Sequence, residues 1–136
     1  MSVVLVVDDS ATAREMLVAE LQRCGFRVMA AADGMEAMEH IKVAPPALVI
    51  TDLIMPRVNG YELCRNIKSD PRTQNVPVIM CSTKAEEFDR YWGMKQGADA
   101  YITKPYQPKD MINAVKYLLE EAGYYSEDTL GRTVRN

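Results

Sequence analysis

Residues 47–60 read ALVITDLIMPRVNG, a short apolar run that stops at an aspartate and is followed at once by turn-forming residues. Leu48–Thr51 are all apolar or β-branched, whereas Pro56 and the Asn59-Gly60 pair interrupt regular structure. A continuous apolar run closed by turn residues is typical of a strand that is buried on both faces of a sheet. Asp52 is therefore predicted at the carboxyl end of a central parallel strand, the edge at which open α/β sheets bind ligands.

Apolar runs of the same kind recur along the rest of the chain, and amphipathic segments separate them. The predicted strands are residues 3–7, 26–31, 48–51, 78–81 and 100–103. Helices are predicted near residues 13–24, 34–43, 61–69, 85–96 and 111–119. Strict alternation of five strands with five helices implies a parallel sheet with helices on both faces. The predicted fold is α/β, a (βα)5 doubly wound parallel five-stranded sheet.

Composition narrows the classes of function. With 136 residues, of which 48% are hydrophobic, the chain suits one globular domain. A net charge of −3 argues against general binding to nucleic acids or anionic membranes, which need a strong basic excess. No run approaches the roughly 18 apolar residues of a membrane span, and no basic segment precedes the short apolar run at the start. We therefore expect a cytoplasmic protein that neither inserts into membranes nor binds nucleic acid.

Two sets of side chains are predicted to be buried. Three widely spaced cysteines are expected to act as small buried hydrophobes in a reducing compartment: Cys24, Cys64 and Cys81. On the fourth predicted helix, Phe88 and Trp92 are expected to face inward. Tyr91 and Trp92 fall on adjacent sides of that helix, so one of the two is expected to be fully buried and the other presented to a partner.

Polar residues follow four of the five predicted strands. They are Asp8, Asp9, Asp52, Ser82, Thr83 and Lys104. Taken singly, each has an ordinary structural explanation, such as a helix cap, a turn hydroxyl or a solvated lysine. Taken together, they fall on one edge of a parallel sheet whose strands are nearly free of charge. We therefore expect them to lie within one small volume.

The chemistry of this edge follows from its charges. Three crowded carboxylates repel one another unless a cation lies between them. The candidate ligands are oxygens, without histidine or thiolate, so the hard ion Mg²⁺ is the predicted cofactor. A divalent ion beside an ionised Asp52, with a lysine and a hydroxyl nearby, suits a site that receives a phosphoryl group. The carboxylate of Asp52 would be the nucleophile and would form an acyl phosphate.

The separated motifs of this edge resemble the receiver domain of two-component response regulators, the CheY-like family, over about residues 3–121. The matching positions are Asp8-Asp9, Asp52, Met55-Pro56, Gly60, Ser82, Tyr101 and Lys104-Pro105. The resemblance implies a flavodoxin-like receiver fold in residues 1–122. It also implies that Asp52 takes its phosphoryl group from a phosphohistidine on a sensor histidine kinase. Residues 123–136 are polar and too few to fold alone, so we expect a flexible tail there, with a docking or regulatory segment as the alternative.

The same resemblance implies how the metal would be held. Mg²⁺ would be bound by Asp9, by Asp52 and by the backbone carbonyl of Ile54, with Asp8 contributing through water. Ile54 would also flank the path of the water that hydrolyses the acyl phosphate.

A second group of residues would respond to phosphorylation, again by resemblance. Lys104 would pair with the phosphate, and its peptide bond to Pro105 would be cis. Ser82 would move toward the phosphate and Tyr101 would turn inward behind it. The face formed by the fourth helix, the fifth strand and the fifth helix would change as a result.

The expected output is contact with another protein, since only a short polar tail follows the predicted receiver domain. Residues 82–84, 88–99 and 101–105 resemble the stand-alone receivers of chemotaxis-like pathways that control type IV pili, twitching motility or phototaxis. The protein is expected to be a monomer or weak dimer, and to be an enzyme only in catalysing its own phosphorylation and dephosphorylation.

Three other classes of protein could share some of these features. A haloacid-dehalogenase-like phosphatase needs a second acid two residues after the nucleophile, where this chain has Ile54. A flavodoxin-like cofactor binder needs a phosphate-cradling loop after the first strand, but residues 10–13 contain no glycine. An adaptor that uses the receiver fold without phosphorylation remains the main alternative, although the acids, the lysine and the hydroxyl are all retained.

Overall fold

The computed structural model describes residues 2–84 and 86–124, in which strands and helices alternate along the chain. The strands are β1 (Val3–Val7), β2 (Arg27–Ala31), β3 (Leu48–Thr51), β4 (Val78–Ser82) and β5 (Ala100–Thr103). The helices are α1 (Ala11–Arg23), α2 (Gly34–Val43), α3 (Gly60–Ser69), α4 (Glu87–Lys95) and α5 (Pro108–Glu121). All strand pairs are parallel, in the order β2-β1-β3-β4-β5. The predicted (βα)5 fold is confirmed, with β3 at the centre of the sheet.

The core consists of two apolar layers, one on each face of the sheet. Every residue of β3 and β4 is buried, as expected for strands covered on both sides. One layer packs α1 and α5 against the sheet through residues such as Leu21 and Leu119. The other layer packs α2 and α3 through residues such as Ile41 and Leu63. Charge is therefore excluded from the strands and is confined to their ends.

Three helices begin with side-chain caps at the carboxyl edge of the sheet. Ser10 accepts a hydrogen bond from the Ala13 amide at the start of α1. The side chains of Asp33 and Asn59 accept equivalent bonds at the starts of α2 and α3. Because a cap satisfies amides that the helix itself leaves unpaired, these short loops have defined positions. Two of them, after β1 and β3, carry the predicted acids.

The prediction that the aromatic side chains of α4 face inward is wrong. Within α4, which is described in full, only Gly93 is buried. A Cβ atom on Gly93 would lie 3.0 Å from Sδ of Met80 and 3.0 Å from Cδ2 of Tyr101, so the helix approaches the sheet at this glycine. The larger side chains are turned outward. The exposed fractions are 67% for Phe88, 56% for Tyr91 and 38% for Trp92.

The cysteine prediction is correct for two residues and wrong for the third. Cys64 and Cys81 are buried, and burial raises the pKa of their thiols to about 11 and about 12. Cys24 is exposed because it caps the carboxyl end of α1, where Gly25 (φ +90°) turns the chain away from the helix. All three cysteines are free.

The end of the chain is only partly described. Helix α5 ends at Glu121, one residue before the predicted domain boundary. Residues 125–136, which are most of the predicted polar tail, lie outside the described residues, so that tail and its boundary stay predictions. No helix in the described ranges is long and apolar enough to cross a membrane.

Candidate metal and phosphoacceptor site

Asp52 directly follows the central strand β3, and its position is set by backbone contacts. Its amide donates to the Val7 carbonyl (2.9 Å), and its carboxylate Oδ1 accepts from the Leu53 amide (2.8 Å). A Cβ atom on Gly60 would lie 2.4 Å from the Asp52 carbonyl oxygen, so only glycine allows α3 to begin this close to the site. The side chain of Asp52 is 15% exposed and can be reached from solvent.

Three carboxylates meet at this edge. One oxygen each from Asp8, Asp9 and Asp52 lies within 4.8 Å of the other two. Asp8 is buried, Asp52 is half-buried and Asp9 is exposed, so the cluster has a closed side and an open side. A set of oxygen ligands that leaves an open side fits Mg²⁺, which keeps several waters when it binds to proteins. The side chain of Ile54 is exposed, and its backbone carbonyl as a ligand stays a prediction.

The electrostatics of the cluster are unfavourable without a cation. Burial raises the pKa of Asp52, and repulsion from Asp8 and Asp9 raises it further. Attraction to Lys104 and the hydrogen bond from the Leu53 amide oppose this rise without cancelling it. The ionised form of Asp52 is therefore held at a cost that a bound divalent cation would reduce.

Lys104 is the cation that the chain itself supplies. Its Nζ lies 2.8 Å from Oδ2 of Asp8 and 3.9 Å from Oδ1 of Asp52. Burial alone would lower the pKa of Lys104, but its bond to Asp8 and its attraction to Asp52 outweigh burial and raise it. The ammonium group therefore stays charged beside the acids. The peptide bond between Lys104 and Pro105 is cis.

Ser82 and Tyr101 are connected through one backbone segment. Ser82 is buried, and its Oγ accepts from the Lys84 amide (3.2 Å). The Tyr101 hydroxyl donates to the carbonyl of the same Lys84 (2.7 Å). Burial raises the pKa of Tyr101 to about 12, and the guanidinium of Arg90 lies 5.4 Å from the centre of its ring. A shift of residues 82–84 would therefore displace the hydrogen-bond acceptor of Tyr101, and through Tyr101 it would act on α4.

Sequence reasoning missed two residues that position the acidic loops. Arg14 donates from Nη1 to the Asp8 carbonyl (2.7 Å) and so holds the loop after β1. Arg57, in the loop after β3, adopts φ +69° and forms an ion pair with Asp33. The one available signal was that Arg14 follows the capping Ser10 by one helical turn. Nothing in the spacing of Arg57 and Asp33 indicated their contact.

Comparison with known proteins identifies the family. The family model of the response regulator receiver domain matches residues 4–116, which include every predicted site residue. The chain belongs to the response regulator receiver family. Receiver domains are signalling proteins that bind Mg²⁺ at an acidic pocket and take phosphoryl groups from histidine kinases.

The relatives that match this chain differ in overall length. Protein PilH of Pseudomonas aeruginosa is 34% identical over 119 residues, which are 88% of this chain and 98% of PilH. The phosphate regulon transcriptional regulatory protein PhoB of the same organism is 36% identical over 120 residues, which are 88% of this chain and 52% of PhoB. The chain therefore spans about half the length of PhoB.

Solved structures agree with the family. The structure of the Vibrio cholerae chemotaxis protein CheY4 aligns with a TM-score of 0.82 at 30% identity, covering 87% of this chain and 98% of CheY4. The expected likeness to receivers of pilus pathways is partly supported by the similarity to PilH. PhoB is equally similar within the receiver region, so sequence identity alone does not separate these subfamilies.

Proposed function

We propose that Asp52 accepts a phosphoryl group from the phosphohistidine of a sensor histidine kinase, and that the phosphorylated receiver acts on a downstream protein. The observation that carries this proposal is the geometry around Asp52. Its carboxylate shares a volume with Asp8 and Asp9, and Lys104 lies 3.9 Å from one of its oxygens. An ionised carboxylate between a metal site and a fixed ammonium suits attack on a phosphoryl group.

The proposed reaction forms one bond and breaks one. A carboxylate oxygen of Asp52 attacks phosphorus while the phosphorus–nitrogen bond of the phosphohistidine breaks, and the imidazole nitrogen leaves with the electron pair. Asp8, Asp9 and Asp52 would hold Mg²⁺, which when bound would neutralise phosphoryl oxygens. Lys104, already oriented by Asp8 at 2.8 Å, would pair with another phosphoryl oxygen. The product is an acyl phosphate on Asp52.

The proposed signal travels through residues 82–84. If the Ser82 hydroxyl turns toward the new phosphoryl group, its bond to the Lys84 amide breaks. The Lys84 carbonyl also anchors the Tyr101 hydroxyl, whose ring lies against Gly93 of α4. A local change of charge at Asp52 would then shift the α4-β5-α5 face.

The pathway is proposed from the relatives. From the similarity to PilH we infer a role in pilus-based motility or taxis, with a protein as the downstream partner. Action in the cytoplasm as a monomer or weak dimer belongs to the same proposal. So does the division into a receiver at residues 1–122 and a tail at residues 123–136.

The test is phosphorylation by a small donor. The purified full chain is incubated with acetyl phosphate, with Mg²⁺ or with EDTA, and its intact mass is recorded. We expect the mass of one phosphoryl group to be added only with Mg²⁺, in the wild type and in Glu39→Gln, an exposed carboxylate outside the site. Asp52→Asn should remain unmodified. If wild type and Asp52→Asn gain the same mass, Asp52 is not the acceptor.

A negative result also has a defined meaning. If neither acetyl phosphate nor a panel of phosphorylated histidine kinases modifies the wild type, the phosphoacceptor proposal is refuted. The adaptor alternative would then account for the fold.

A further inference from the structure

The loop that follows β3 is closed at its base, beside the phosphoacceptor. The Leu53 amide donates to the Asp52 carboxylate (2.8 Å), and the Leu53 carbonyl accepts from the Gly60 amide (2.8 Å). The side chains of Leu53 and Met55 are buried, whereas that of Ile54 between them is exposed. The backbone carbonyl of Ile54, a predicted metal ligand, therefore belongs to a loop whose two ends are fixed.

The tip of this loop lies against the start of α2. A Cβ atom on Gly34, the first residue of α2, would lie 2.6 Å from the Val58 carbonyl oxygen, so the two segments approach closely. One residue earlier in each segment, Nη2 of Arg57 forms an ion pair with Oδ2 of Asp33. The side chain of Arg57 is 59% exposed and that of Asp33 is 14% exposed. The loop that carries the predicted metal ligand is thus joined to α2 at its tip.

Arg57 adopts a backbone conformation that side chains oppose. Its φ of +69° lies in the left-handed region, and within the described ranges no other residue except glycine has a positive φ. Such a conformation costs free energy and persists only where surrounding contacts compensate for it. The ion pair with Asp33 is a contact of this kind. Strain therefore favours displacement of the loop tip, and the ion pair opposes that displacement.

Asp33 divides its two carboxylate oxygens between two contacts. Oδ1 accepts from the Glu36 amide (2.8 Å) and caps α2, while Oδ2 faces Arg57. The hydrogen bond from the Glu36 amide and the guanidinium of Arg57 hold the pKa of Asp33 below its usual value, so the carboxylate is charged at neutral pH. Replacing Asp33 by Asn would leave an oxygen for the cap and remove the charge that binds Arg57.

We propose that the Arg57–Asp33 ion pair positions the loop after β3 for metal binding, which makes Arg57 a positioning residue of the phosphoacceptor site. Arg57 acts through the loop that carries the Ile54 carbonyl and does not bind the metal itself. The acid cluster would still attract Mg²⁺ without the pair, so its loss should weaken metal binding rather than abolish it. This inference rests on the proposed phosphoacceptor function and concerns what sets the Mg²⁺ affinity of that site.

The size of the effect follows from the exposure of the pair. A surface ion pair changes an equilibrium constant by a factor of up to about five. Removing the pair can lower the fraction of molecules with a correctly placed loop by no more than this factor, and the apparent affinity falls in proportion to that fraction. We therefore expect Mg²⁺ to bind about threefold to fivefold more weakly without the pair. High salt should reduce this difference, because it screens exposed charges.

The experiment is a titration of Mg²⁺ into the ¹⁵N-labelled full chain without a phosphodonor, followed by amide chemical shifts. Arg57→Gln and Asp33→Asn should each raise the Kd for Mg²⁺ about threefold to fivefold. Arg57→Lys keeps the charge and should retain most of the wild-type affinity. The double variant, Arg57→Gln with Asp33→Asn, should bind no more weakly than either single variant, because both remove the same pair.

Two further variants separate the pair from general charge and from backbone strain. Arg72→Gln removes an exposed arginine that pairs with Asp70 (3.4 Å) away from the site, and it should leave the Kd for Mg²⁺ unchanged. Arg57→Asn also lacks the ion pair, but asparagine tolerates positive φ better than glutamine. Its Kd should therefore fall between those of the wild type and Arg57→Gln. Urea unfolding in EDTA should show that each variant is folded, with a midpoint close to that of the wild type.

The possible results distinguish this proposal from the proposed function. Equal Mg²⁺ affinity in the wild type and Arg57→Gln would overturn the role of Arg57 alone. An equal loss of affinity in Arg72→Gln, or losses that multiply in the double variant, would do the same, because neither result could come from one ion pair. If the wild type bound no Mg²⁺ at all, both this proposal and the metal site of the proposed function would be refuted.

Discussion

Replacing Asp52 by Asn should stabilise the protein in the absence of Mg²⁺, although it removes the proposed phosphoacceptor. The Asp52 carboxylate lies within 4.8 Å of those of Asp8 and Asp9 and 3.9 Å from Lys104. At an effective dielectric constant of 20, each repulsion amounts to about 3 kcal/mol and the attraction to about 4 kcal/mol. Burial of the charged carboxylate is the largest unfavourable contribution, and together with the two repulsions it exceeds the attraction to Lys104. Solvent at the exposed Asp9 reduces the difference. We expect a gain in unfolding free energy on the order of 1–3 kcal/mol at neutral pH.

The pH dependence of this gain follows from the raised pKa of Asp52. A carboxyl whose pKa is raised by folding loses stability as the pH rises through its folded pKa, whereas asparagine does not titrate. The advantage of Asp52→Asn should therefore be full above the folded pKa and vanish below the unfolded value of about 3.9. Millimolar Mg²⁺ should stabilise the wild type more than the variant and so reduce the gap.

Urea unfolding followed by far-UV circular dichroism measures these differences, in EDTA and in Mg²⁺, across the acidic to neutral range. Glu39→Gln serves as the control for loss of a carboxylate outside the cluster. A variant that is less stable than the wild type in EDTA would refute the electrostatic reasoning. A stability gain of equal size at every pH would also refute it, because the gain would not come from ionisation of Asp52.

Four further substitutions test single positions. Gly60→Ala places a Cβ 2.4 Å from the Asp52 carbonyl and should cost about 1–3 kcal/mol of unfolding free energy in urea, with slower labelling by acetyl phosphate. Arg57→Gly relieves an L residue at φ +69° but loses an exposed ion pair, so its urea stability should change by less than about 1 kcal/mol. Phe88→Ala should change stability by less than about 0.5 kcal/mol, because most of its ring is exposed. Leu63→Ala, in the core, should cost about 2–5 kcal/mol in the same assay.

The fold was predictable because its two signals are local. Each buried strand is a continuous apolar run, and each run ends at a turn, as in residues 47–60. The alternation of strands and helices then leaves few topologies, since parallel strands need right-handed crossovers. The same alternation predicts that Asp8, Asp9 and Asp52 meet, and one oxygen of each lies within 4.8 Å of the others.

The wrong predictions concern how closely an element approaches its neighbours, which periodicity does not encode. The spacing of Phe88 and Trp92 matches an inward helical face, but α4 instead presents Gly93 to the sheet. Because glycine has no apolar side chain, a buried glycine does not show up in a hydrophobic pattern, although it permits the closest packing. Cys24 shares the period of α1 and still lies outside the core, because it occupies the capping position where the helix has ended.

The contacts that were not predicted join positions without a shared pattern. Arg14 reaches the Asp8 carbonyl across the loop between β1 and α1, and Arg57 reaches Asp33 across the sheet edge. Both are long flexible side chains whose partners depend on the path of a loop.

Helix α4 is packed against the sheet less extensively than α3, as a helix that moves on phosphorylation would need to be. Helix α3 buries four of its ten residues, whereas α4 buries one of nine, and that one is a glycine. Burial of apolar side chains is the main energy that holds a helix to a sheet, so displacing α4 costs less than displacing α3. At Gly93, α4 packs against Tyr101, whose hydroxyl is bound to the segment beside Ser82. The outward rings of α4 are therefore carried by a helix that is held to the sheet less firmly than α3, which fits the proposed movement of the α4-β5-α5 face.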